Sequence, residues 1–483
     1  MNTLYYGDNL EILRKYIKDE SVDLIYLDPP FKSNTDYNLL FKEPNGKPSQ
    51  AQITAFEDTW HWTQETERTY QAIVESAPAK VIEMMQAFRN FVGLNDMMAY
   101  LTMMCIRLVE LHRVLAPTGS IYLHCDPTAS HYLKLVMDTI FGKKNFRNEI
   151  LWHYRKWPSG QWQFQRNHDV ILFFSKTDSK ERVFNQVDLM ERTASTLKRF
   201  GKHRIVSGHD DSGKRVPSAM LEEESLGVPL DDVWDIGRVP PIKQLFPTQK
   251  PEKLLSRIIR ASSNENQVIL DPFCGCGTAI VEAQKLRRQW LGIDITCLAT
   301  NLIKGRLRDM FGMESGKDYL VECEPKDLTG ARELAQSDRY QFQWWALSLI
   351  HAKPYAEKKK GADTGIDGYL YFSDEKGAYK TAIVQVKSGN VSVKDVRDLS
   401  HVVTREHAEM GVLLTLNTPT AAMKKEAAGM GFYESKHFRR EYPKFQLITI
   451  DQLLGGAKPL TPPVFRIYRQ AQQAESEQLD LAE

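Results

Sequence analysis

Three short clusters in this 483-residue chain combine residue types that can do chemistry. In the first, Asp28, Pro29, Pro30 and Phe31 follow one another directly. Neither proline has an N–H, so the backbone here can only accept hydrogen bonds. Pro29 also drives Asp28 toward extended backbone. A carboxylate beside a bare carbonyl is a cluster of acceptors, suited to gripping the hydrogens of an exocyclic –NH2. The lone pair of such an amino group is ordinarily spread into its ring, and two acceptors on its hydrogens favour a pyramidal, nucleophilic nitrogen. That nitrogen can attack a sulfonium methyl in line, with proximity supplying much of the acceleration. Phe31 offers a face on which a base turned out of a duplex can stack.

The second cluster is the glycine-rich stretch from Asp271 through Phe273, Gly275 and Gly277 to Thr278. A strand over 267–270 delivers Asp271 to a tight turn, where Gly275 and Gly277 let the backbone approach a ligand without a side chain in the way. The helix beginning near Thr278 presents unpaired N–H groups. Asp294 ends the next strand about 20 residues on, where an acid takes both ribose hydroxyls of an adenosine. No Lys-Ser/Thr pair follows the glycines, so this is not a phosphate loop. Upstream, Thr248 and Lys250 lead into Pro251 and a helix whose apolar face is Leu254, Leu255, Ile258 and Ile259. The start of that helix is suited to the methionine carboxylate of a methyl donor. The chain holds no Pro-Cys dipeptide, as methylation at the ring carbon of cytosine would need, so the chemistry expected is at an amino group.

The third cluster is Asp367 with Gln385 and Lys387. Alternation along a strand puts Gln385 and Lys387 on one face. A metal bound by Asp367, Gln385 and the Val386 carbonyl would be oxygen-coordinated, hence Mg2+. Lys387 could then orient an attacking water and steady charge on a phosphate. Gln385 is uncharged, so a further carboxylate is needed, with Asp363 and Glu333 as candidates.

These clusters need elements to hold them. Apolar runs at 21–27, 120–124, 169–174 and 267–270 read as buried strands. Helical spacing runs from Met97 to Val114 and is closed by Pro117 and Gly119. Strands alternating with helices imply a mostly parallel sheet covered on both faces. Periodicity fades over about 176–245, where the chain is polar, basic and spotted with glycine; a stretch this long is read as an inserted recognition region. After about Cys323 a second unit begins, with a helix over 340–351 and strands over 382–386, 411–415 and 446–450. The segment 461–483 is a polar, acidic tail. The aromatic-rich run 55–62 suits either a ligand-contacting loop or packing for the helices after it.

Composition is that of a globular chain, 42% hydrophobic and 26% charged. No apolar run approaches the roughly 20 residues of a membrane span, and the first residues do not read as a signal peptide. The six cysteines form no C-x-x-C pair, which points to a reducing, cytoplasmic setting. The net charge of +1 conceals a basic stretch between Arg155 and Arg215, compatible with nucleic acid as a partner.

Taken in order, Asp28–Phe31, the basic insert and Asp271–Thr278 resemble the β-class amino-methyltransferases of DNA. Residues 6–8, 119–127, 168–176 and 248–251 resemble the lesser motifs of that family. The resemblance covers about 1–322. It implies a Rossmann-like, S-adenosylmethionine-dependent α/β domain carrying an inserted recognition region, acting on double-stranded DNA in a bacterium, archaeon or phage. Phe31 replaces the commoner tyrosine, and Cys276 a usual serine. Asp-Pro-Pro members mostly act on adenine, which implies 6-methyladenine as product, with 4-methylcytosine the rival. Residues 359–368 and 383–389 resemble the Mrr-type branch of the restriction-endonuclease fold. That implies a smaller α/β domain over about 323–460 that cleaves DNA with Mg2+, or one that only binds it. A homodimer is compatible with both resemblances.

Overall fold

The computed structural model describes residues 1–30, 37–42, 48–56, 61–156, 162, 164–186, 189–190, 197–198, 203–209, 212, 215–224, 228–240, 244, 249–355, 365–375 and 378–464. Phe31, Thr248, Asp363, residues 57–60 of the 55–62 run and the tail from 465 lie outside them.

The apolar runs form a nine-stranded sheet. Across it the order is Val233–Asp235, Phe146–His153, His168–Ser175, Leu115–Cys125, Val22–Leu27, Val268–Asp271, Gln289–Asp294, Thr3–Tyr6 and Leu320–Glu322. His168–Ser175 runs antiparallel to both its neighbours; every other pairing is parallel. Side chains alternate between faces. Ile25 and Leu27 join a core beneath the helix Asp96–Val114, whereas Leu24 and Tyr26 join a core beneath Glu252–Ser262 and Thr278–Lys285. Both faces are therefore covered, and the continuous apolar reading of these strands follows from that burial.

The strand expected over 120–124 is longer and begins at Leu115, directly after the helix. Its register against Val22–Leu27 shifts between Val22 and Leu24, so the Pro117–Gly119 segment is absorbed as a bulge. Gly119 is needed there, because a Cβ would stand 2.6 Å from Leu115 Cδ1 and 2.8 Å from the Asp23 carbonyl. Asn95 caps the helix by accepting from Met98 N at 3.1 Å.

Within the basic insert, His203–His209 and Arg215–Glu224 pair as an antiparallel hairpin. Side-chain periodicity does not announce it, because a ladder of main-chain hydrogen bonds can form without a particular side-chain order. Upstream, Trp62 packs against the core and donates to Glu67 Oε2 at 3.1 Å, a packing role.

A second, five-stranded sheet has the order Lys353–Pro354, Gly368–Glu375, Ala378–Lys387, Met410–Thr415 and Phe445–Thr449. Helices Leu328–Ser337 and Arg339–Leu349 cover one face, and Val393–Arg405 and Ala421–Ala428 the other. Tyr6 and Cys297 of the first sheet's domain are buried in the same apolar cluster as Phe342 and Trp345.

Candidate active site

Asp28 and Asp271 lie at the carboxyl ends of neighbouring parallel strands, registered Ile25 to Leu270. From Asp28 the chain next enters the sheet on one side, at Leu115–Cys125; from Asp271 it next enters on the other, at Gln289–Asp294. Strands that part in this way open a crevice between their ends. Here it is a cleft of about 950 Å³, with Asp28, Pro29 and Pro30 on one wall and Phe273, Gly275 and Asp294 on the other.

The glycine turn is built for close approach. Gly275 and Gly277 have φ of 51° and 73°, where glycine alone is unstrained. A Cβ on Gly277 would stand 2.6 Å from Ile303 Cγ1. Gly277 N donates to the Cys274 carbonyl at 2.8 Å, and the helix Thr278–Lys285 starts at once. The buried Arg306 pins the turn from behind, donating from Nη1 to the Cys276 carbonyl at 2.8 Å. From the other side Asn9 Nδ2 donates to the Pro272 carbonyl at 2.8 Å. Sequence reasoning did not single out Asn9 or Arg306, since their role exists only once distant segments meet.

Asp294 is held by the turn itself. Gly275 N donates to Oδ2 at 2.8 Å, and Thr296 N and Oγ1 donate to Oδ1 at 2.9 and 2.8 Å. Burial raises the Asp294 carboxyl against the pull of these donors. Asp271 is buried more severely. Desolvation, reinforced by the charges of Asp28 and Asp294, pushes its carboxyl up to about 8, although Phe273 N–H and Lys250 act the other way. Burial likewise raises the thiols of Cys274 and Cys276, so neither is a thiolate nucleophile.

On the opposite wall, Lys250 forms an ion pair with Asp28 Oδ2. Lys250, expected at the donor end, thus reaches the Asp-Pro-Pro wall of the same cleft. The other oxygen, Asp28 Oδ1, lies 3.9 Å from His124 Nδ1. His124 is wholly buried. Its Nδ1 is 3.1 Å from the Tyr26 hydroxyl and its Nε2 3.2 Å from Asp169 Oδ2. The Tyr154 hydroxyl donates to Asp169 Oδ1 at 2.9 Å. Burial alone would raise the Asp169 carboxyl, but His124, the charge of Lys250 and the Tyr154 hydroxyl outweigh it and hold it at about 2. Sequence reasoning places His124 and Asp169 in strands and in stretches that resemble the family's lesser motifs, without giving either a role of its own. The available signal was a titratable side chain inside or at the mouth of an apolar strand, which burial makes costly unless it is paired.

The third cluster is assembled differently. Asp367 Oδ2 accepts from Val386 N at 2.6 Å and Oδ1 from Gln343 Nε2 at 2.9 Å. Gln385 is buried; its Nε2 donates to the Gly365 carbonyl, and its Oε1 has no hydrogen-bond partner. Lys387 Nζ is 4.0 Å from Asp395 Oδ1. One carboxylate already receiving two N–H groups, with one neutral carbonyl oxygen, is a poor donor set for a hard divalent cation. Among the described residues no three His, Cys, Asp or Glu side chains gather to hold a metal. Asp367 and Gln385, expected as a Mg2+ pair, come together, and the hydrogen bonds they make are to their own domain. It is the Val386 N–H, not its carbonyl, that faces Asp367.

Comparison with known proteins follows the same division. A protein-family model described as DNA methylase, of the N6 and N4 type, matches residues 22–304. A second, described as NACHT-associated inactive Restriction Endonuclease 1, matches residues 341–455. The Type II methyltransferase M.HpaI of Haemophilus parainfluenzae is 30% identical over 226 residues, 46% of this chain and 64% of that enzyme. The DNA adenine methyltransferase YhdJ of Escherichia coli K12 is 28% identical over 297 residues, 61% of this chain and 78% of its own. Among solved structures, the PvuII cytosine-N4-specific DNA methyltransferase is 14% identical with a TM-score of 0.32, covering 61% of this chain and 83% of its own. The chain thus spans somewhat under two thirds of the Haemophilus parainfluenzae enzyme. No helix among the described residues is long and apolar enough to cross a membrane.

Proposed function

Since the chain belongs to the DNA methylase family whose model covers residues 22–304, we propose that it methylates the exocyclic amino group of adenine in double-stranded DNA, using S-adenosylmethionine. The observation that carries this reading is the pairing of two acid-tipped strands across one cleft, each with the backbone its half of the reaction needs. When bound, the donor supplies an electrophilic methyl group on a sulfonium. Asp294, aimed by Gly275 and Thr296, would take the ribose hydroxyls; Phe273, Gly275 and Thr278 would border the rest of the nucleoside. Asp28 and the Pro29 carbonyl accept from the substrate amino group and hold its nitrogen as a nucleophile. Lys250 fixes the Asp28 carboxylate from the side.

Adenine is preferred over cytosine N4 because of the Asp-Pro-Pro sequence and the resemblance to a relative described as an adenine methyltransferase. The basic insert, including its hairpin, is read as the part that recognises the target site. The second domain is read as one that holds DNA without cutting it. The inactive description of the matching family and the internally bonded Asp367 favour this over the Mg2+-dependent cleavage expected from the motif.

Unmodified duplex DNA incubated with the protein and S-adenosylmethionine is expected to yield 6-methyladenine on nucleoside mass spectrometry. Finding 4-methylcytosine alone would overturn the choice of base. The same DNA with Mg2+ is expected to stay intact; discrete fragments from wild type, absent with Lys387→Ala, would restore the nuclease reading.

A further inference from the structure

We propose that His124 and Asp169 form a buried proton-accepting pair that serves Asp28, taking up the proton the amino nitrogen must lose once it is methylated. This rests on the amino-methylation reading above. Transfer forms an N–CH3 bond from the nitrogen lone pair as the bond between methyl and sulfur breaks, its electron pair staying on sulfur. The nitrogen is left cationic, with one hydrogen more than the product has. That proton passes to Asp28, which cannot turn over if it keeps it.

The geometry provides an outlet. Lys250 occupies Asp28 Oδ2, so the proton is received on Oδ1, the oxygen 3.9 Å from His124 Nδ1. The Tyr26 hydroxyl lies 3.1 Å from the same ring nitrogen, on the strand that ends at Asp28; the transfer proposed runs from Oδ1 to Nδ1, a separation of the kind that tightens when substrate binds. For Nδ1 to accept, the hydrogen of the neutral ring must sit on Nε2, and Asp169 Oδ2 at 3.2 Å holds it there. The cation that forms then faces an ionised carboxylate. This is the logic by which a buried acid fixes the tautomer of an imidazole and steadies its charged form. Trp152 packs edge-on against the ring, 5.5 Å between centroids, and limits its rotation.

Two further features fit a relay better than a filler histidine. The ring is wholly buried while the side chains of Asp28 and Asp169 retain 16% and 17% exposure, so each end of the pair reaches water through a carboxylate and not through the ring. Among the described residues, the titratable groups facing the ring include Tyr26 and Asp28 from one neighbouring strand and its end, and Asp169 from the other. Lys250 and Tyr154 stand one bond further out, on Asp28 and Asp169. His124 acts through Asp28 and is a positioning residue.

The test is single-turnover methylation of an unmodified duplex with S-adenosylmethionine, followed from about pH 5.5 to 9, the range in which a histidine titrates. The wild-type rate is expected to climb along one limb with rising pH and level off. His124→Gln is expected to be about 100-fold slower and to lack that limb, with donor binding by calorimetry and Tm retained. Asp169→Asn, nearly isosteric, is expected to slow the reaction and move the limb to lower pH. Should His124→Gln fail to fold, Asp169→Asn decides alone. Wild-type rates and an unchanged pH profile in the folded variants would overturn the proposal. Absence of any methylated amino base with wild type would instead overturn the reading on which it rests.

Discussion

The cleft at Asp28 and the strand pair at Asp367 are made of similar materials: an acid at a strand end or just before a strand, with a proline or glycine beside it. In the cleft, the strands bearing Asp28 and Asp271 leave the sheet in opposite directions, and their acids border open space. In the second domain, Gly368–Glu375 and Ala378–Lys387 form a hairpin, and Asp367 is folded back onto the backbone of its partner strand at Val386. The same residue types are thus a chemical surface in one place and a structural clip in the other. A carboxylate can answer a ligand only where the fold leaves its oxygens facing a cavity. Where the fold supplies backbone N–H groups instead, the carboxylate satisfies those.

The comparison breaks most visibly at Asp28. Asp28→Ala is expected to lower single-turnover methylation by about 1000-fold or more, with melting little changed; near-wild-type methylation would remove Asp28 from the acceptor role. Next in size is a pH effect at Asp271. The folded chain keeps a proton there up to about pH 8, whereas the unfolded carboxyl loses it near pH 4. Stability therefore falls as pH rises through that window, with a slope on the order of 1 kcal/mol per unit. Asp271→Asn should flatten it, read from denaturant midpoints at pH 5 and 8. In the second domain, Asp367→Ala leaves the Val386 N–H and the Gln343 amide without their acceptor. The expected cost is about 1–3 kcal/mol of stability, with methylation within about twofold of wild type because the sites share no partner. Equal stability with altered activity would reverse the contrast between the regions. The smallest effect is at the turn: Gly277→Ala meets a positive φ and Ile303 together and is expected to cost about 1–2 kcal/mol, read as a lowered Tm.

How much of this was legible beforehand differed by residue. Asp28 and Asp271 stand out because each follows an apolar run and precedes a proline, and Asp294 because it ends the next apolar run about 20 residues after the glycine turn, local patterns that survive in one dimension. The apolar face of Glu252–Ser262 was equally plain, and Leu254, Leu255, Ile258 and Ile259 are all buried. His124, Asp169, Tyr26 and Arg306 were not legible as a group. His124 is 98 positions from Tyr26 and 45 from Asp169, and no spacing rule links residues that meet only across strands. The hairpin of the insert was missed for a different reason, since main-chain pairing leaves little trace in side-chain order.

By itself the sequence determined the strand and helix alternation, the two strand-end acids and the glycine turn between them. Hydrophobic period and backbone permissiveness are properties of short stretches, and they act wherever the stretch lies. Only the tertiary structure decided which acids share a cleft, which cation answers Asp28, and that Asp367 spends its oxygens on its own domain. Strand order sets those outcomes, and strand order is settled by long-range burial, which depends on every other element of the sheet at once.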